Sequence, residues 1–241
     1  QISLTLDGQP VDFTWKANGT LSATLPALGT SSHQVSLTVS DACGNLARKS
    51  VTISGTAATR FADMQKHWAS TYTTPLNDKG IISGVTANGK TNFLPDQKIT
   101  RGDFALMTAN WLGLDLSRYA GVSLPYADAA SIPKWDENAV KALYAEGIMQ
   151  GSKAGDGSLR ANAKASITRA EAMTILGRIL PQGYPQASLT GFSDAASVPS
   201  WSKDYVATLV ELKVVGGSNG KLDPNASVTR AEVAKMLFTL W

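Results

Sequence analysis

Three arginines recur at one kind of address, in Thr100-Arg101-Gly102-Asp103, Thr168-Arg169-Ala170-Glu171 and Thr229-Arg230-Ala231-Glu232. A guanidinium grips a carboxylate through two parallel hydrogen bonds. Threonine three residues ahead of glutamate is a capping box that opens a helix, so each arginine is expected in a first helical turn, where exposed N–H groups and the helix dipole favour an anion. A cation there costs a little stability, and its presence three times points to anion binding. As exposed groups at the wrong end of a dipole, the arginines are expected to add little to folding. Arg169 and Arg230 lie in complete boxes and are expected to matter more than Arg101, whose box is closed by the shorter Asp103.

The remaining reactive residues form no catalytic constellation, and no cofactor is implied. Cys43 is the single cysteine, so neither an intrachain disulfide nor a cysteine metal site can be built. It is followed by a turn glycine and has no activating partner. His33 and His67 lie in different segments without metal spacing. Arg101-Gly102-Asp103 spells an adhesion tripeptide but is explained by the helix cap, and Gly155-Asp156-Gly157-Ser158 lacks the spaced acids of a calcium loop. Asn18-Gly19-Thr20 and Asn225-Ala226-Ser227 match a glycosylation acceptor pattern, a short motif that carries little weight by itself. The net charge of +3 comes from 22 basic and 19 acidic residues that alternate along the chain, a weak hint of an anionic partner and not the basic stripe of a nucleic-acid binder. No apolar run approaches the roughly 20 residues of a membrane span. The chain opens at Gln1 without a signal-like segment and reads as a mature piece of something longer.

The elements that must position the arginines recur with them. Phe61-Ala62-Asp63 returns as Tyr126-Ala127-Asp128 and Phe192-Ser193-Asp194, followed by Trp68, Trp135 and Trp201. Gly80-Ile81-Ile82-Ser83-Gly84 returns as Gly147-Ile148-Met149-Gln150-Gly151 and, without its first glycine, as Lys213-Val214-Val215-Gly216-Gly217. Apolar residues at i, i+3, i+4 and i+7 predict a helix after each arginine motif: Phe104, Met107, Thr108, Trp111; Ala172, Ile175, Leu176, Ile179; Val233, Met236, Leu237, Leu240. A first helix begins at each tryptophan, with Trp68, Tyr72, Leu76 and their counterparts every four residues, and Pro75 is expected to shorten or kink its copy. Gly84, Gly151 and Gly217 are expected to end these helices. A two-helix unit cannot bury its stripe alone, so the copies are expected to share one core.

These motifs, in order and three times over, resemble the S-layer homology (SLH) family across residues 61–241. The resemblance implies a mainly α pseudo-trimer of three helix-loop-helix repeats around a shared helical core, at residues 59–117, 118–183 and 184–241. It implies a secreted protein of a Gram-positive wall or S-layer that binds secondary cell wall polysaccharide carrying pyruvylated N-acetylmannosamine in grooves between repeats, the motif arginines meeting the pyruvate ketal. The groove residues it suggests are Arg101, Arg169, Arg230, Asp63, Asp128, Asp194, Trp68, Trp135, Trp201, Gly84, Gly151 and Gly217. Their structural readings stand beside this one: tryptophans as core, aspartates as caps or braces of the first helix, glycines as backbone geometry. Gly102 and Asp103, Lys213, and two extra residues between Leu159 and Thr168 set individual repeats apart, so the grooves need not be equivalent. Neither membrane insertion nor nucleic acid enters this reading. A glycoside hydrolase's anchoring tail, direct peptidoglycan binding and a lattice-forming parent remain alternatives.

Residues 1–58 alternate instead, in Ile2-Ser3-Leu4-Thr5-Leu6, Val35-Ser36-Leu37-Thr38-Val39 and Val51-Thr52-Ile53, which predicts strands. The stretch Val35 to Ile53 around Asp41-Ala42-Cys43-Gly44-Asn45 is similar to the last hairpin of bacterial immunoglobulin-like repeats. That implies part of a β-sandwich spacer, shorter than the roughly 100 residues of a whole one.

Overall fold

The computed structural model describes residues 1–16, 19–25, 32–54 and 60–241; Asn18 of the first acceptor tripeptide lies outside them. The chain divides into two compact units, Gln1–Ala58 and Thr59–Trp241.

In the first unit β1 (Ile2–Leu6), β2 (Gln9–Pro10), β5 (Ser32–Ser40) and β6 (Leu46–Ser54) form an antiparallel sheet of order β2-β1-β5-β6, while β3 (Phe13–Trp15) pairs with β4 (Leu21–Ala23). Alternation sets which side is covered: Leu4, Leu6 and Ser36 are buried and their neighbours are not. The predicted hairpin is β5–β6, in register from Ser32 opposite Ser54 to Ser40 opposite Leu46. Its turn is tied by Asp41, whose carboxylate accepts from the N–H groups of Cys43 and Asn45.

Among the described residues the second unit holds six α-helices: α1 (Ser70–Asp78), α2 (Arg101–Trp111), α3 (Lys134–Ala145), α4 (Arg169–Ile179), α5 (Lys203–Glu211) and α6 (Arg230–Thr239). Between the two helices of a repeat lies a hairpin, β7–β8 (Val85–Ala87, Lys90–Asn92) in the first and β9–β10 (Ser152–Lys153, Leu159–Arg160) in the second; a bridge between Ser218 and Lys221 stands there in the third. The second helix of each repeat packs on the first helix of the next: α2 on α3, α4 on α5, and α6 back on α1. A stripe cannot be closed within one repeat, and here each is closed by its neighbour. At the centre the residues before the motif threonines pass hydrogen bonds around a closed cycle. Ile99 N–H donates to Val228 O, Val228 N–H to Ile167 O, and Ile167 N–H to Ile99 O, each at 3.1 Å. Ile99, Ile167 and Val228 are buried with Phe104, Leu176 and Leu237 from the helices that follow.

The first helices depart from expectation in phase. The positions buried in all three copies are Ala69, Asp136 and Ser202, then Thr73, Val140 and Val206, then Leu76, Leu143 and Leu209, the last three as expected; Ala139, an expected stripe residue, is buried as well. The tryptophans stand one residue earlier, about 100° around the helix, and lie on the flank: Trp68, Trp135 and Trp201 are 54%, 69% and 55% exposed. They are not core residues. Nor do Gly84, Gly151 and Gly217 end the helices. Gly80, Gly147 and Lys213 do, all with positive φ, in a motif where the next residue's N–H (Ile81, Ile148, Val214) reaches Leu76, Leu143 or Leu209 O. With Pro75 inside it, α1 is nine residues against twelve for α3, but α5 is also nine, following a 3₁₀ turn at Ser200–Ser202. The length difference between repeats lies in the hairpins, not after Leu159: Phe93 to Thr100, Ala161 to Thr168 and Leu222 to Thr229 are equally spaced.

Candidate ligand-binding grooves

In each repeat an aspartate holds the loop that leads to the second helix. Asp63 accepts from Phe93 and Leu94 N–H, Asp128 from Ala161 and Asn162 N–H, Asp194 from Leu222 and Asp223 N–H, at 2.7–2.9 Å. Leu94, Asn162 and Asp223 all have positive φ, a conformation costly for leucine and accessible to Asn and Asp, and the carboxylate holds each in place. The aspartates therefore brace the loop ahead of the second helix rather than cap the first, and both carboxylate oxygens are used.

The braced loop turns its carbonyls toward the preceding repeat's second helix, except that the first repeat's loop faces the third. Arg101 and Gly102 N–H donate to Ala165 and Ala163 O, Arg169 and Ala170 N–H to Ala226 and Pro224 O, Arg230 and Ala231 N–H to Gln97 and Pro95 O. The third free N–H of each helix goes to its threonine. The helix N-termini are thus occupied by protein groups and are not open to an anion.

The arginine side chains follow the same path. Arg101 Nε donates to Ala161 O, Arg169 Nε to Leu222 O and Arg230 Nε to Phe93 O. The Arg101 guanidinium pairs with Glu171 at 2.7 Å and that of Arg169 with Glu232 at 2.8 Å. One oxygen of each glutamate closes its own capping box and the other holds the neighbour's arginine. Asp103 is too short for both: it bonds Thr100 without reaching back to the Thr100 N–H, and no ion pair to Arg230 forms. Arg230 instead donates to Ser83 O and lies 4.7 Å from the Phe93 ring centroid; burial pulls its pKa down, with Asp103 and Asp63 opposing. Arg101 is only 5% exposed. Exposed arginines of little weight in folding are not what these are.

Gly84, Gly151 and Gly217 form close contacts. A Cβ on them would strike the ring of Phe61, Tyr126 or Phe192 and the carbonyl of Asn92, Arg160 or Lys221. Their absence of a side chain lets the opening aromatic seal the hairpin beneath the groove.

Two clefts result, each assembled from three repeats. Arg169, Gly217 and Trp68 meet with Glu232, Lys98 and Lys235 in one of about 230 Å³. Arg101, Gly151 and Trp201 meet with Glu171, Lys153 and Arg178 in another of about 390 Å³. At the third interface Arg230 donates to Ser83 O, the residue before Gly84. The aspartates line neither cleft. Since Arg101 and Arg169 are neutralised by glutamates, the positive charge left for a ligand comes from Lys98 and Lys235 in the first cleft, which Asp223 also lines, and from Lys153 and Arg178 in the second, where no further carboxylate stands. None of these four has an ion pair among the described residues; Arg178 donates to Ile148 O and lies over Tyr205. The repeat could not reveal them, because the counterparts of Lys235 are Leu106 and Thr174 and those of Arg178 are Asn110 and Thr239.

Asp136 sits beside the third interface, 1% exposed, with Oδ1 lacking a hydrogen-bond partner. Burial, with Asp103 adding repulsion, raises its pKa to about 7. Gly102 is explained by it: a Cβ there would overlap the Asp136 carboxylate. At the equivalent positions Ala69 and Ser202 are small.

Among the described residues no group of three or more His, Cys, Asp or Glu could hold a metal, and no helix is long and apolar enough to cross a membrane. Three repeats closed in a ring, with aromatic and basic clefts at their seams, define a repeat-built binding module. The chain belongs to the S-layer homology domain family, which matches residues 60–105, 125–173 and 191–234. Domains of this family are non-catalytic modules that anchor proteins to the wall at the surface of Gram-positive-type bacteria. Among similar proteins, the Surface-layer 125 kDa protein of Lysinibacillus sphaericus is 34% identical over 66% of this chain and 13% of its own length. An amylopullulanase of Thermoanaerobacterium thermosulfurigenes is 32% identical over 75% of this chain and 9% of its own, and exoglucanase XynX of Acetivibrio thermocellus 30% over 75% and 16%. The chain spans less than a fifth of each of these relatives.

Proposed function

We propose that residues 59–241 hold a secreted protein on the bacterial wall by binding pyruvylated secondary cell wall polysaccharide in the seams of a pseudo-threefold ring. The observation that carries this reading is the meeting, in one cleft, of an exposed indole with cations that no protein carboxylate neutralises. An aromatic face packs against the C–H face of a sugar, and a lysine or arginine meets the ketal carboxylate. The motif arginine, fixed by glutamate and carbonyl, supplies an oriented polar wall. The chain acts by binding and carries out no reaction. Its parent is a lattice-forming surface protein or a glycan-degrading enzyme, and the first unit serves as a spacer resembling part of an immunoglobulin-like sandwich.

Binding to purified wall sacculi tests this. Retention is expected with intact walls and lost once the accessory polysaccharide is stripped from unaltered peptidoglycan; equal retention on stripped walls would overturn the reading. Lys153→Gln with Arg178→Gln is expected to weaken binding of the pyruvylated glycan at least tenfold, the loss of one charge-assisted contact, with little effect on the ketal-free glycan.

A further inference from the structure

Trp201 lines two clefts at once. One is the basic cleft of Arg101, Lys153 and Arg178; the other, about 340 Å³, shares the Trp201 indole with it. The second holds Tyr184, Tyr205, Gln182, Gln186 and Asp204, two phenol rings with amide and carboxylate groups and no basic residue. It exists because of Gly177: a Cβ there would strike Tyr205, so the glycine lets the tyrosine lie against α4. The counterparts of Gly177 are Ala109 and Phe238, and Phe238 packs on Tyr72, with centroids 5.4 Å apart. The clefts touch at a second point, where Arg178 of the first lies over the Tyr205 ring of the second.

Rings beside paired amides and a carboxylate suit an uncharged, hydroxyl-rich sugar, which offers apolar C–H faces and donors together. We propose that this cleft is a subsite for the neutral sugar adjoining the charged one, the glycan passing over Trp201 from the basic cleft to the tyrosine cleft. The inference rests on the reading of the basic cleft as the seat of the charged sugar. It makes the seam between the second and third repeats a reader of chain sequence as well as of charge.

Calorimetric titration of the full chain tests it, with pyruvylated N-acetylmannosamine as the short probe and a wall-polysaccharide fragment of several sugars as the long one. Tyr184→Ala, on a loop residue 41% exposed, is expected to leave the fold and the short probe's affinity unchanged and to weaken the long probe about tenfold. Gln186→Ala is expected to act in the same direction, and Tyr184→Phe to bind like the parent. If the long probe bound both alanine variants as it binds the parent, or if the short probe lost as much as the long, the subsite would not exist. Removing the ketal separates the two readings. Should the ketal-free fragment bind the parent undiminished while Tyr184→Ala still weakens it, the charged-sugar reading fails and the neutral subsite stands.

Discussion

Arg101 is legible as a motif residue and illegible as a buried one. Its carbonyl partner Ala161 and its acid Glu171 are some 60 and 70 residues away, beyond any local pattern, and they turn a first-turn cation into part of a repeat interface. Arg101→Ala is therefore expected to cost about 3 kcal/mol, the range for breaking a buried pair, and Arg230→Ala less, since no carboxylate is stranded by it. Thermal melts of the two variants check the order. Asp136 gives a pH-dependent counterpart. Its pKa is about 7 in the folded chain against an ordinary 3.8, so the folded state binds its proton more tightly. The group is harmless below about pH 4, and its penalty grows as pH rises from there to about 7 and is constant above. Asp136→Ser, copying Ser202, is expected to stabilise the protein by about 2–4 kcal/mol at pH 8 and to leave it nearly unchanged at pH 4. Denaturant titrations of variant and parent at both pH values measure the difference; equal gains at both would rule out the buried charge as the cause. Gly102→Ala alone is expected to destabilise, and to be tolerated once Asp136 is replaced by serine.

At the level of elements, the second helices were readable in full, because a threonine–glutamate cap and an i, i+3, i+4, i+7 stripe are both local. The first helices were readable in existence but not in phase. Tryptophan weighs heavily in any apolar pattern, and it drew the start of the stripe one residue off the packed side: Leu76 was placed correctly, but the buried positions before it are Ala69 and Thr73, small or polar, rather than Trp68 and Tyr72. The first glycine of the turn was likewise passed over for the second, although the missing glycine at Lys213 was the informative departure. Lys213 ends α5 at φ 59. Lys213→Gly removes left-handed strain of about 1–2 kcal/mol and returns some of it as chain entropy, for an expected net gain of about 0.5–1 kcal/mol and a rise of a few degrees in melting temperature. A fall in melting temperature would show that Lys213 is unstrained.

For the whole molecule, a shared core was foreseeable because two-helix units leave their stripes open, whereas the pseudo-trimer was expected from the family resemblance alone: no local pattern of residues tells that the third repeat returns to the first. Deleting Phe192 onward uncovers the sides of α1 and α4 and breaks the central cycle of Ile99, Ile167 and Val228. The truncated chain is expected to aggregate or to melt without cooperativity; a soluble monomer melting like the parent would contradict the shared core. The contacts that shut the ring also bear on how the module carries tension. Arg230 is joined to Phe93 and Ser83 across 137 and 147 residues of chain, so the third repeat is fastened to the first. Pulling on the chain ahead of Phe61 cannot peel the repeats away one after another, as it would in a linear array, because the first is gripped from both sides. In a force-extension experiment with Trp241 held, rupture is expected as a single event releasing the length of all three repeats. The same molecule would behave as a latch, rigid until it gives way at once, rather than as a spring.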